Sequence, residues 1–173
     1  MEKLSNLEKK DWFKRLPITQ RQLVEQSFYL LSEIGYKEIE FYDYSFIVMP
    51  ASKAYEGFVK DFLFRNKLIS EKRYKGNKFR VGKALNPALA EANPDGFENL
   101  YDDISELFKS EELANQMWET WKECRNQVFH YFHEQEKAIN LYQAKGKLQK
   151  IIDTMELVYE FDVIVKAGYR FGI

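Results

Sequence analysis

Downstream of Gln20, Leu23, Phe28, Leu30, Leu31 and Ile34 fall at helical spacing and stop at Gly35, which predicts a helix with Thr19 as its N-cap. Before it, Leu4, Leu7, Trp12 and Leu16 alternate with charged residues over 3–15, a short amphipathic helix closed by Pro17. Residues 37–49 carry Ile39, Phe41, Tyr42, Tyr44, Phe46, Ile47 and Val48, a composition that also suits a strand. The helical face of Ala51, Ala54, Tyr55, Phe58, Phe62 and Ile69 favours instead one helix from about 43 to 70, capped by Asp43 and distorted near Pro50. Breakers from Gly76 to Gly96 make 71–96 a connection. Leu100, Ile104 and Leu107 predict a short acidic helix over 97–108, and Ser110 with Glu111 and Glu112 opens a longer one. That third long helix is expected to run unbroken to about Glu134 on a stripe of Leu113, Met117, Trp121, Cys124, Val128 and Phe132. A last helix over 137–162 buries Ile139, Leu148, Ile152, Met155, Val158 and Tyr159, with Gly146 weakening its middle, and an apolar tail comes after it.

The expected architecture is therefore all-α: four main helices around one core, extra short helices, and a loop-rich insertion between the second and third. A chain of 173 residues suits one domain, divided as an N-terminal helical extension (1–19), a bundle (20–165) and a tail (166–173). A 45% hydrophobic and 16% aromatic content supports a packed core rather than disorder. The single cysteine, Cys124, excludes an intramolecular disulfide and suggests a reducing, cytoplasmic setting, and no stretch reads as a signal peptide or a membrane span.

A net charge of −1 offers no global attraction to polyanions, so an anion site has to come from local clustering. One cluster exists. Lys72, Arg73, Lys75, Lys78, Arg80 and Lys83 are interleaved with Tyr74 and Phe79, and read either as a solvated loop or as a phosphate-contacting one. A second group carries chemistry: on a helix Lys122, Asn126, His130 and His133 would form one polar stripe, with the long side chain of Arg125 able to swing onto it. Histidine moves protons near neutral pH and arginine holds phosphate oxygens in bidentate fashion. Together they suit RNA transesterification without a metal or other cofactor. A metal reading through His130, His133 and Glu134 lacks the usual spacing and further ligands.

Arg125, Asn126 and His130, late in the third long helix, resemble the Arg-x4-6-His motif of the HEPN superfamily of ribonucleases, which commonly places a polar residue after the arginine. The stretch from Asp43 to Pro50, followed by Lys53-Ala54-Tyr55-Glu56-Gly57, resembles the helix entering the HEPN domain of the RNase LS toxins (RnlA/LsoA type). There Glu56 matches a family glutamate and Lys53 stands in an arginine's place, keeping the charge and losing the fork. The resemblance covers residues 20–165. It implies catalysis by Arg125, Asn126 and His130 with support from Glu56 and Lys53; the local charge itself, apart from the resemblance, makes Lys122 and His133 of the stripe and Arg73, Lys75, Lys78 and Arg80 of the basic cluster the candidate RNA contacts. The resemblance further implies a homodimer with a shared cleft, mRNA as substrate, a toxin or antiphage role, and neutralisation by a cognate antitoxin. The alternative is a non-catalytic HEPN module that binds RNA, nucleotide or a protein partner. By the residues alone, Cys124 reads as a buried, inert thiol, and Trp118, Trp121, Phe129 and Phe132 as core or interface rather than base-stacking platforms.

Overall fold

A helix that is apolar on several sides has little to offer water and belongs in the middle of a bundle. In the computed structural model, which describes residues 3–36, 40–88, 100–130 and 138–167, that helix is Ser45–Arg65. It buries Ile47, Val48, Ala51, Ala54, Tyr55, Phe58, Val59, Phe62 and Leu63. In chain order the elements are α1 (Leu4–Leu7), α2 (Asp11–Lys14), α3 (Ile18–Tyr36), α4 (Ser45–Arg65), α5 (Glu71–Lys75) and α6 (Val81–Leu85). They continue with α7 (Leu100–Phe108), α8 (Glu111–Trp121), a π-helical turn (Lys122–Asn126), α9 (Gln127–Phe129) and α10 (Leu141–Lys166). All regular structure among the described residues is helical. Helix α4 packs against α3, α10, α8 and the π turn, so the core lies around it.

Several boundaries differ from expectation for local reasons. The first helix is broken in two, with Lys10 extended between α1 and α2. Pro17 opens α3 rather than only closing the element before it, since its carbonyl accepts from the N–H groups of Gln20 and Arg21 at 2.9 and 3.1 Å. Thr19 therefore lies inside the first turn, and the helix continues through Gly35 to Tyr36.

Asp43 does anchor the start of α4: its Oδ1 accepts from the Ser45 N–H at 3.1 Å and from the Ile139 N–H at 3.0 Å. This ties the entry of α4 to the entry of α10. Pro50 stays within the helix. The next N–H, that of Ala51, donates to Ser27 Oγ at 2.9 Å, and this is how the distortion is absorbed. The helix then stops at Arg65 instead of near residue 70. Lys67 takes a left-handed φ of 61°, with Leu68 N–H bonded to Leu63 O at 2.9 Å and Lys67 N–H to Phe64 O at 3.0 Å, the two bonds of a Schellman stop. Lys109, at φ 50°, closes α7 in the same way.

The insertion is more ordered than a loop. It contains α5 and α6, and α6 lies against α8 and α7. Helix α10 begins at Leu141 because Asn140 and Gln143 cap one another: the Gln143 N–H bonds Asn140 Oδ1 at 2.8 Å and the Asn140 N–H bonds Gln143 Oε1 at 2.9 Å. It runs to Lys166, past the expected end at 162. The expected positions of 97–99 and of the tail from 168 onward lie outside the described residues.

Candidate functional site

The third long helix runs from Glu111 to Phe129 with a π turn inside it. After α8 the backbone widens into the π turn, where the Gln127 N–H bonds the Lys122 carbonyl five residues back, and α9 ends at Phe129. His130 is already extended, at φ −102° and ψ 131°. Two distant side chains stabilise the widened turn by satisfying its carbonyls. Ser52 Oγ lies 2.6 Å from Cys124 O, and Lys147 Nζ donates to Glu123 O at 2.8 Å. Lys150 adds an ion pair to Glu123 Oε2 at 2.8 Å. The run Val128, Phe129, His130, Tyr131 and Phe132, poor in good helix formers, comes next. The single helical stripe of Lys122, Asn126, His130 and His133 is therefore corrected. The π turn shifts the register between Lys122 and the residues beyond it, and His130 is off the helix. His133 lies outside the described residues, as do Phe132 and Glu134.

The turn does present Arg125. Its Nε faces Glu56 Oε2 of α4 at 3.3 Å, with about a third of each side chain exposed (33% and 32%). The guanidinium carbon lies 5.9 Å from the ring centroids of both Trp121 and Phe129, one turn before and one turn after it. Arginine is thus held by a carboxylate and two aromatic rings, each within cation–π range. Among the described residues the guanidinium is hydrogen-bonded at Nε alone, which leaves its Nη1 and Nη2 ends to face a bidentate anion. The distance is longer than that of a strong charge-assisted bond, so Glu56 orients Arg125 more than it sequesters it.

The other expected site residues are spread more widely. Lys53 is exposed one turn before Glu56 on α4, and with Met49 these make the i, i+4, i+7 row of one face. Asn126 is half-buried and ends the π turn beside Arg125. His130 is exposed, directly after α9, which packs against α4. Lys122 pairs with Glu119 at 3.2 Å. In the basic segment Arg73 sits on α5, Lys75 pairs with Glu71 at 2.5 Å, Lys78 is exposed, and Arg80 Nη1 bonds the Asn77 carbonyl at 2.6 Å.

Cys124, next to Arg125 in sequence, is 1% exposed, and burial pushes its thiol up to about 12. It takes no part in nucleophilic chemistry at neutral pH. A cavity of about 200 Å³ elsewhere in the molecule is lined by Trp12, Arg15, Gln20, Asp61, Arg65 and Tyr74 among others, and includes none of the residues around Arg125. The sequence reading missed Trp121 and Phe129 as the rings that hold Arg125. Their spacing four before and four after it was the available signal. No family model, no curated protein and no solved structure matches this chain.

Proposed function

We propose that the chain is a metal-independent endoribonuclease of HEPN type, the toxin of a toxin–antitoxin or antiphage system. The observation that carries the reading is Arg125, paired through Nε with Glu56 and flanked by the rings of Trp121 and Phe129, with Asn126 and His130 following it along the chain. In this reading α3, α4, α8 with α9, and α10 are the four main helices of the HEPN-like bundle.

The reaction is a cleaving transesterification, in which the 5′-oxygen of the next nucleotide is the leaving group. The ribose 2′-oxygen attacks phosphorus, the P–O5′ bond breaks, and one proton passes in net from O2′ to O5′. His130 moves that proton, Arg125 holds two non-bridging oxygens as charge builds on the phosphorane, and Asn126 orients the pair. Lys53 supplies a second positive charge beside Glu56. Lys122, His133, Arg73, Lys75, Lys78 and Arg80 contact the RNA backbone, and the cytosol is the proposed setting.

The reading includes assembly with a second copy, with the α4 face of Met49, Lys53 and Glu56, where Met49 is 52% exposed, as the proposed contact. Light scattering at micromolar concentration is expected to give twice the chain mass, and a monomer there would remove the shared cleft. A cognate antitoxin would act by covering the same face.

The test is cleavage of single-stranded RNA in excess EDTA by the wild type beside Arg125→Ala and His130→Ala. Each substitution is expected to reduce kcat by roughly 10² to 10³. No EDTA-resistant cleavage by the wild type overturns the reading in favour of a binding module, and equal cleavage by the His130 variant overturns the mechanism through His130.

A further inference from the structure

We propose that the α5–α6 segment carries the RNA and, through the seat of Gly82 on Trp121, sets the position of Arg125. The inference rests on the ribonuclease reading and adds a division of labour to it: binding by the segment, positioning by its glycine.

Gly82 is buried in α6. A Cβ added there would fall 2.0, 2.1 and 2.3 Å from Cη2, Cζ2 and Cζ3 of Trp121, so the α6 backbone lies directly on the six-membered ring of the indole. Only glycine permits that approach. The same ring is stacked with Trp118, centroids 5.7 Å apart at 13°, and lies 5.9 Å from the Arg125 guanidinium carbon. Its Nε1 is buried with no hydrogen-bond partner among the described residues. The indole is therefore placed by packing alone, between the backbone of the insertion, a second indole and the arginine. A displacement of α6 moves the ring, and the ring moves Arg125.

The chain leading into this seat is charged for one occupant. From Lys72 to Ala90 the sequence holds six basic residues and no acidic one, in a molecule whose net charge is −1. Lys72 and Lys78 are exposed. Lys60 of α4 reaches the same segment, with its ammonium 3.5 Å from the Gly76 carbonyl and 5.8 Å from the Tyr74 ring. A basic segment joined through one tryptophan to the arginine of the proposed site fits the phosphate backbone of a single-stranded RNA running from the segment towards Arg125.

The test separates the two roles in the full-length chain with a fluorescent single-stranded RNA. Lys72→Glu with Lys78→Glu is expected to raise KM and the dissociation constant about tenfold or more, to leave kcat within about twofold, and to flatten the salt dependence of binding by roughly 0.7 per lost phosphate contact. Gly82→Ala is expected to do the reverse: kcat falls tenfold or more, KM holds within about twofold, and the Arg125 Nε–H resonance shifts. Adding Trp121→Phe, which removes the ring atoms that collide, restores both. Should Gly82→Ala not fold, Trp121→Leu empties the contact instead of crowding it and carries the same expectation for kcat and the resonance.

Unchanged activity per folded molecule in the Gly82 variant, or no rescue by Trp121→Phe, overturns the positioning role. RNA binding that ignores Lys72 and Lys78 overturns the binding role. If the wild type cleaves nothing, the ribonuclease reading fails, while the binding curves and the Arg125 resonance still decide this inference.

Discussion

At the scale of single residues, Arg125 is fixed by three neighbours, none of which neutralises it fully. The ion pair with Glu56 is about one-third exposed on both sides, so water screens it and its worth to stability is modest, about 0.2–1 kcal/mol. A double-mutant cycle on urea unfolding, with Glu56→Gln and Arg125→Met, is expected to return a coupling in that range. A value above about 2 kcal/mol would mean the pair is structural and the arginine committed to it. Cys124 gives a second residue-scale expectation. Its thiol ionises at about 12 in the folded chain, raised by burial from an ordinary 9.0. Between those limits the unfolded chain binds fewer protons than the folded one. This residue's contribution is therefore complete below pH 9 and declines as pH rises, by up to about 1.4 kcal/mol per pH step. Unfolding of wild type and Cys124→Ala at pH 8 and pH 10.5 should show the stability gap between them narrowing in the wild type's disfavour at the higher pH. A constant gap would contradict it. The partnership of Arg125 with Glu56 was legible in the sequence through a family likeness, and the buried thiol through helical spacing. The aromatic hold on Arg125 was present as spacing but was assigned to the core, because a tryptophan beside an arginine packs more often than it positions.

At the scale of elements, the π turn decides where Arg125 and His130 stand. Its widened backbone leaves carbonyls that Ser52 and Lys147 satisfy from α4 and α10. Ser52→Ala leaves the buried Cys124 carbonyl without that donor and is expected to destabilise the chain by about 1–3 kcal/mol. It should also lower cleavage more than stability alone explains, since the turn can then relax towards an ordinary α-helix. Chemical denaturation alongside activity checks both, and a neutral substitution would show that the turn does not depend on Ser52. A sequence shows no such turn, because its partners lie about 72 and 24 residues away along the chain. Helix stops were obscured for a different reason. The Schellman position of α4 is held by Lys67 at φ 61° instead of glycine, so the sequence carries no stop signal there. Lys67→Gly is expected to raise stability by about 0.5–1 kcal/mol, as relief of left-handed strain outweighs the entropy glycine brings. A loss of stability would mean that the lysine side chain makes an interaction of its own. The cap that was readable is Asp43 at α4; at α8 Ser110 makes no side-chain cap bond, and Glu111 and Glu112 lie in the first turn.

At the scale of the molecule, the all-helical class stems from apolar periodicity and was readable as such, whereas the central place of α4 shows only in the packing. The insertion carries no helical signal in the sequence because α5 and α6 are five residues each, too short to show a period. Yet it is the insertion that brings the basic segment against the helix bearing Arg125, by way of Gly82 and Trp121. No described helix is long and apolar enough to cross a membrane. The proposed chemistry is phosphodiester cleavage by the 2′-hydroxyl, carried by Arg125 and His130. Its most direct measurement is mass spectrometry of the cleavage products formed in EDTA from a short defined RNA. One fragment is expected to carry a 2′,3′-cyclic phosphate and the other a 5′-hydroxyl, both lost when the nucleotide 5′ of the cut carries a 2′-methoxy group. Fragments bearing a 5′-phosphate and 3′-hydroxyl, or continued cleavage of the methoxy substrate, would contradict it.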